Sequence, residues 1–124
     1  MHSISVDEAL QFLTELLLEL SKPPDYMGSA ETLLDRIEHR IRLFKGEEYA
    51  ALCSALGRWL QGNDPAKADI ALALISRLEI VRYISELEQW LDELHRGSFH
   101  WPSVWWLPVV EDTLARLHRA KQRT

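Results

Sequence analysis

The side chains best suited to binding lie in one aromatic stretch, residues 97–108. It holds Phe99, Trp101, Trp105 and Trp106, which include three of the five tryptophans in the chain. Tryptophan offers a large apolar surface, which serves either as part of a core or as an anchor in a protein interface. Two interpretations stay open: the rings seal the core over the ends of helices, or Trp101, Trp105 and Trp106 contact a partner.

A second candidate for binding is an acidic row on the predicted helix that precedes the aromatic stretch. Ser85, Glu88, Asp92 and His95 follow one another at three- or four-residue spacing, and no base belongs to this row. Residues at this spacing share one face of a helix. Complementary charge mainly accelerates the encounter of two proteins. We therefore expect Glu88 and Asp92 to steer a basic protein partner, while the tryptophans supply the affinity.

Residue patterns for catalysis or metal binding are weak by comparison. The best metal candidate joins His95, His100 and Glu93, but Gly97 falls between the histidines, which do not stand one turn apart on a single helix. The sequence has no glycine-flanked serine elbow and no glycine-rich phosphate loop. We expect no catalytic residue, no metal and no cofactor, and an enzyme with an unrecognised site is a remaining alternative.

The charge balance favours a protein partner over nucleic acid. The formal net charge is −5, whereas broad contact with a phosphate backbone requires a basic surface. All the charged residues after Thr113 are basic, namely Arg116, Arg119, Lys121 and Arg123. Cations are favoured at the C-terminal end of a helix by its macrodipole, so this basic end needs no nucleic acid to explain it.

Length and composition are those of one ordered domain. The chain has 124 residues, 47% of them hydrophobic and 27% charged, and we expect a single domain over 1–124. The N-terminus shows no secretory signal, and the longest uncharged run, Gly97–Val110, is shorter than the roughly 20 residues of a membrane span. These features predict a cytoplasmic protein with no membrane segment. Cys53 lies on an apolar helix face and is expected to be a core residue.

The first half of the chain shows the 3.6-residue period of amphipathic helices. Ser5 and Glu8 form a capping box at the start of a first helix that runs to Leu20. A proline-containing connection is predicted for 21–28. Two further helices are predicted, one from a Ser29 cap through Lys45 to a Gly46 terminator, and one from Glu47 to Gln61.

The central stretch, 63–97, holds the most apolar segment. Asp64 and Pro65 are an N-cap and a first helical residue, and Gly97 is a terminator. The apolar stripe changes phase near residues 76–79, where Ser76 and Glu79 match a second capping box. We favour two helices joined by a tight turn, and one long helix that buries different faces in its halves stays open.

Two prolines divide the last part of the chain. Pro102 is predicted to start a short helical turn, and Pro108 to start a last helix that runs through Val110, Leu114 and Leu117 to about Ala120. No stretch shows the alternation of a strand. The sequence therefore predicts an all-α protein of five or six helices, which the short links make antiparallel.

Residues 63–94 resemble one unit of a HEAT-type helical repeat. The resemblance rests on Asp64-Pro65, the apolar run to Leu78, and the motif Ile80-Val-Arg-Tyr-Ile-Ser-Glu-Leu87. The turn lacks a clear Asp or Gly, and the flanking helices do not repeat the motif, so an irregular bundle is the alternative. The resemblance implies a short helical stack that binds protein and brings no catalytic residues.

The function predicted from these features is that of a small acidic immunity or adaptor protein that binds a basic protein partner. It is a non-enzymatic role, in which the candidate contact residues are Glu88, Asp92, Trp101, Trp105 and Trp106. A domain that binds a small ligand or has a regulatory role is the alternative.

Overall fold

The computed structural model describes residues 4–20 and 30–123, and 83% of these residues are helical. No strand occurs in these two ranges, so the predicted all-α class is confirmed. The α-helices are α1 (Val6–Leu20), α2 (Ala30–Arg42), α3 (Gly46–Leu60), α4 (Pro65–Arg77), α5 (Ile84–Arg96) and α6 (Ser103–Gln122). A 3-10 turn, Val81–Tyr83, precedes α5. The connection predicted for 21–28 and the Ser29 cap lie outside the described residues.

Contacts group the chain into two compact units, residues 1–74 and residues 75–124. Helix α4 crosses this division, because it continues from Leu74 to Arg77. The division therefore does not separate two sets of complete helices. The single domain predicted for 1–124 stays a prediction, and the two units are described one at a time.

The start of α1 confirms the first capping box. The Glu8 amide donates to Ser5 Oγ over 3.1 Å, and the Ser5 amide donates to Glu8 Oε1 over the same distance. Two amides that the first helical turn leaves without intrahelical acceptors are thereby paired. The predicted boundaries of this helix are correct.

In the first unit, α1 packs antiparallel to α3. Asp7, at the start of α1, lies 3.8 Å from Arg58 near the end of α3, and the Phe12 ring meets the Phe44 ring edge-on just before α3 begins. Cys53 is buried on the inner side of α3, as expected of a core residue. Tyr49 stands one turn before Cys53. Its pKa is raised first by burial and then by the electrostatic interaction and the hydrogen bond with Cys53.

The predicted end of the second helix is wrong. Helix α2 ends at Arg42, and Gly46 is the first residue of α3 instead of a terminator. The chain tightens at the end of α2, where the amides of Leu43 and Phe44 donate to carbonyls only three residues back. Lys45 is then extended, and Gly46 adopts a φ of 58°, a left-handed conformation that glycine tolerates best.

Helices α4 and α5 are separate, which confirms the interpretation as two helices. Asp64 caps α4 as predicted, since its Oδ1 accepts the Ala66 amide over 3.0 Å and Pro65 is the first helical residue. The second capping box is wrong, because Ser76 lies in the last turn of α4 and α5 begins only at Ile84.

The turn after α4 is built on a left-handed residue, Glu79, with a φ of 54°. Its amide donates to the Ser76 carbonyl, and the Ile80 amide donates to the Ile75 carbonyl. These two bonds are those of a Schellman motif, which usually uses glycine at the left-handed position. The Glu79 carboxylate contacts Arg123 and lies 3.9 Å from Arg116, so the end of α6 holds this turn by charge.

We expect the variant Glu79→Gly to be more stable than Glu79→Ala by about 1 kcal/mol. Both variants lose the contacts with the two arginines, but only alanine keeps the steric cost of a left-handed backbone, roughly 1 kcal/mol. Urea unfolding of the two variants side by side measures the difference. Equal stability, or a more stable alanine variant, would contradict the assignment of Glu79 as the residue that ends α4.

The last helix begins earlier than predicted. Helix α6 runs from Ser103 to Gln122 with Pro108 inside it, so the prediction of a helix start at Pro108 is wrong. Pro108 has no amide hydrogen to donate to the carbonyl of Val104, which would be its helical acceptor. The helix nevertheless continues through the proline, at a position where both Val104 and Pro108 are exposed.

In the second unit, α5 and α6 pack antiparallel, as their short connection predicts. Glu88 near the start of α5 faces His118 near the end of α6, and Trp90 meets Trp106 near the start of α6. The inner face of α6 carries Trp106, Val110, Thr113, Leu114, Leu117 and Ala120, all of which are buried. Across 4–20 and 30–123, no helix combines the length and the apolar character needed to cross a membrane.

Candidate functional site

The aromatic stretch folds into a cluster at the junction of α5 and α6. We call Trp90, Phe99, His100, Trp101 and Trp106 the aromatic cluster. The Trp90 ring meets those of Phe99 and Trp106 edge-on at centroid distances of 5.0 and 5.9 Å. Edge-on and offset arrangements are the favoured ones for aromatic rings, so the cluster fixes the geometry of this junction.

Trp106 is the most deeply buried member of the aromatic cluster. Its side chain is only 3% exposed, and its ring stacks on that of Trp101 at a centroid distance of 4.9 Å. Trp101 itself is half-buried. The interpretation as a core residue therefore applies to Trp106. Trp101 covers Trp106 from the solvent side.

Trp105 lies on the other side of α6. It is 55% exposed, and its neighbour Val104 is 89% exposed. Pro108 is also exposed and follows one turn later, so Val104, Trp105 and Pro108 share one side of the helix. We call these three residues the apolar face of α6. Helical residues succeed one another by about 100°, which puts this face nearly opposite Val110 and Leu117.

Glu88 and Asp92 are exposed on α5, but each has a cationic neighbour. Asp92 Oδ2 lies 3.2 Å from Arg96 Nη2, and Glu88 Oε2 lies 3.8 Å from His118 Nε2, which is charged when protonated. The row holds no base of its own, but residues outside it lie close to both carboxylates. Arg96 stands one helical turn after Asp92, and the packing of α6 on α5 brings His118 to Glu88.

Two other carboxylates, missed in the sequence, lie beside the apolar face of α6. Glu111 and Asp112 are exposed and follow Val104 and Trp105 by seven residues, two helical turns along the same side. Within 4–20 and 30–123, neither carboxylate has an ion-pair partner. The spacing becomes visible only when α6 is extended back through Pro108, which the predicted start of the helix prevented.

The side chains considered for metal binding do not form a site in the part of the chain that the structure describes. No three side chains among its His, Cys, Asp and Glu residues lie together to hold a metal ion. His100 lies instead against Trp101, at a ring-centroid distance of 4.2 Å. A cleft of about 530 Å³ lies at the first unit, lined by Leu20, Asp35, Arg36, His39 and Arg40.

That cleft is bordered largely by exposed side chains of α2. Asp35, Arg36 and His39 all face solvent. Sites for small molecules usually enclose most of the ligand surface and are mainly apolar. The apolar face of α6 is consequently the better candidate for a contact surface.

Comparison with known proteins finds no match for this chain among protein-family models, curated proteins or solved structures.

Proposed function

We propose that this protein is a non-enzymatic interaction module that binds a basic protein partner through the apolar face of α6, in the manner of a small immunity or adaptor protein. One observation carries the proposal. Two large apolar side chains, Val104 and Trp105, are 89% and 55% exposed next to a tryptophan that is 3% exposed. The helix thus directs one tryptophan to the core and the other to solvent.

The energetics favour a partner on this face. Covering apolar surface stabilises a complex by roughly 25 cal/mol per Å², and tryptophan is enriched among the residues that dominate binding energy. Trp105 would be the anchor, with Val104 and Pro108 excluding water around it. Trp101 and Trp106, which stack on one another on the other side of the helix, would support the start of α6.

The proposed surface stands on a rigid base. Helix α6 is held along its inner face by buried residues and at its start by the aromatic cluster. An anchor on a fixed helix loses less conformational entropy on binding than one on a loop. The resemblance of 63–94 to a HEAT unit adds the expectation of a protein-binding helical stack.

The alternative of a small-ligand domain has less support. It would rest on the cleft beside α2, whose exposed charged lining does not enclose a ligand. An enzyme would require convergent polar residues around an enclosed substrate, and the exposed lining of the cleft does not provide that enclosure. Glu88 and Asp92 would contribute long-range steering, reduced by Arg96 and by protonated His118.

A photocrosslinking experiment tests the proposed surface. The photoreactive residue p-benzoylphenylalanine replaces Val104 in one variant and Ala50, an exposed residue of α3, in a control. We expect illumination in the native host to join a basic protein to the Val104 variant and not to the control. A pattern of products that is the same for both positions would contradict a specific contact at α6.

The identified protein then allows a quantitative test of the anchor. We expect Trp105→Ala to weaken its binding by about 30-fold, which corresponds to roughly 2 kcal/mol, without lowering the melting temperature. Leu43→Ala is the matched control, since Leu43 is a similarly exposed apolar residue outside α6. If both variants bind as the parent protein does, Trp105 is not an anchor.

A further inference from the structure

The exposed side of α6 presents two kinds of surface in a fixed order along the helix. The apolar face comes first, with Val104, Trp105 and Pro108, and the exposed carboxylates of Glu111 and Asp112 follow. Seven residues separate each carboxylate from its apolar counterpart, Glu111 from Val104 and Asp112 from Trp105. At 1.5 Å per residue this spacing is roughly 10 Å.

These two carboxylates differ from several other acidic groups of the protein in their surroundings. Glu38 is paired with Arg42 over 2.8 Å, Glu79 with Arg123, and Asp92 with Arg96. Glu111 and Asp112 have no such neighbour in the described ranges, 4–20 and 30–123. Adjacent unpaired carboxylates repel one another, so a cation that reaches both of them is favoured.

A second copy of this chain does not fit the order of these surfaces. Parallel pairing of two α6 helices brings carboxylates onto carboxylates. Antiparallel pairing centred at Trp105 joins the apolar faces but leaves the acids without cations. An antiparallel arrangement that pairs Asp112 with Arg119 moves the two apolar faces apart. The net charge of −5 adds a general repulsion between copies.

We propose that the partner element that binds α6 is a peptide segment with a large apolar side chain and, about 10 Å further along it, a pair of lysine or arginine residues. The apolar side chain lies against Trp105 and Val104, and the cations contact Glu111 and Asp112. Arginine suits this position best, because its guanidinium binds a carboxylate through two parallel hydrogen bonds. This inference rests on the proposed function and specifies its partner.

The order of the two surfaces also sets the direction of the bound segment. Its apolar residue lies toward the start of α6 and its basic residues toward the middle of the helix. A segment with the same composition but with the basic residues next to the apolar one places its cations beside Pro108, short of both carboxylates. Spacing, as well as composition, therefore determines binding.

Selection from a displayed library of random 16-residue peptides tests the inference on the full chain. We expect the enriched peptides to combine an apolar residue with Lys or Arg at the predicted separation. The double variant Glu111→Lys with Asp112→Lys should bind these peptides at least tenfold more weakly, and selection on it should enrich acidic peptides instead. The matched control, Glu15→Lys with Glu19→Lys at exposed positions of α1, has the same change in net charge and should alter the affinity less than threefold.

The outcomes separate this inference from the function on which it rests. The inference is overturned if the enriched peptides require Trp105 but carry no basic residues. It is also overturned if the two double variants weaken the binding of these peptides equally. Either result leaves the proposed function standing. Failure to enrich any peptide whose binding depends on Trp105 overturns both. A dimer in sedimentation analysis that Trp105→Ala dissociates would show that a second copy occupies the face, and it also overturns the inference. Circular dichroism of each variant verifies that it is folded.

Discussion

Trp106→Ala is expected to lower the free energy of unfolding by about 3–5 kcal/mol. Trp106 is buried within the aromatic cluster, against Trp90 and the stacked ring of Trp101. Alanine removes the apolar surface of the indole and leaves a cavity that neighbouring rings, held by α5 and by the α5–α6 connection, can fill only in part. Urea unfolding followed by far-ultraviolet circular dichroism measures the loss without relying on tryptophan fluorescence.

The adjacent variant Trp105→Ala provides the control. It deletes the same side chain from the exposed side of the same helix, where surface substitutions usually change stability by no more than about 0.5 kcal/mol. The two variants have identical composition, so their difference reports the orientation of α6. Equal losses of stability at the two positions would contradict the division of the tryptophans between core and surface.

Leu74→Pro is expected to leave the protein unfolded at 25 °C. Leu74 is fully buried in α4, where proline removes a backbone hydrogen bond and collides with the preceding turn, at a cost of roughly 3 kcal/mol or more. Loss of the leucine side chain adds about 2–5 kcal/mol. The sum rivals the 5–15 kcal/mol that stabilises a typical domain. Loss of cooperative thermal unfolding in circular dichroism is the measurement.

Leu74→Ala separates the two contributions to that effect. Alanine loses nearly the same apolar surface but keeps the helical backbone, so this variant should fold with reduced stability. If Leu74→Pro melts at the same temperature as the parent protein, residue 74 does not lie inside a buried helix. If Leu74→Pro and Leu74→Ala have the same melting temperature, the proline adds no cost to the loss of the side chain. Residue 74 then does not need a helical backbone.

Sequence patterns located the helices well wherever local chemistry determines the structure. The bonds of the Ser5 capping box and the Asp64 cap involve only residues within one turn, so their motifs predict them correctly. Ser76 and Glu79 have the same residue types and spacing as a capping box but form a helix end. The difference arises because Glu79 adopts a left-handed conformation at a position where arginines of α6 bind it, a tertiary contact that no local motif records.

The roles of the two adjacent tryptophans were partly accessible from the sequence. Val110, Leu114 and Leu117 recur at helical spacing in the sequence, and Trp106 extends this series backward by one turn at four-residue spacing. Placing the helix start at Pro108 concealed this continuation. Proline is tolerated best in the first turn of a helix, so its residue type favoured a helix start at Pro108, whereas it lies in the second turn of α6.

The charge pattern was harder to predict. Arg96 stands four residues after Asp92, so their ion pair could be anticipated from helical spacing alone. The approach of His118 to Glu88 depends on how α6 packs on α5, which the sequence does not specify. The acidic pair beside the apolar face could not be recognised before α6 had its full length.

The distribution of side chains around α6 bears on how this protein can diversify. Substitutions at Val104, Trp105 and Pro108 touch exposed positions, whereas the inner residues of the same helix maintain its packing. A lineage could therefore exchange the exposed residues while retaining the stability that the inner face provides. Most mutations harm proteins by destabilising them, and substitutions on an exposed face that is largely uncoupled from the core avoid that penalty. The two sides of one helix can thus evolve at different rates.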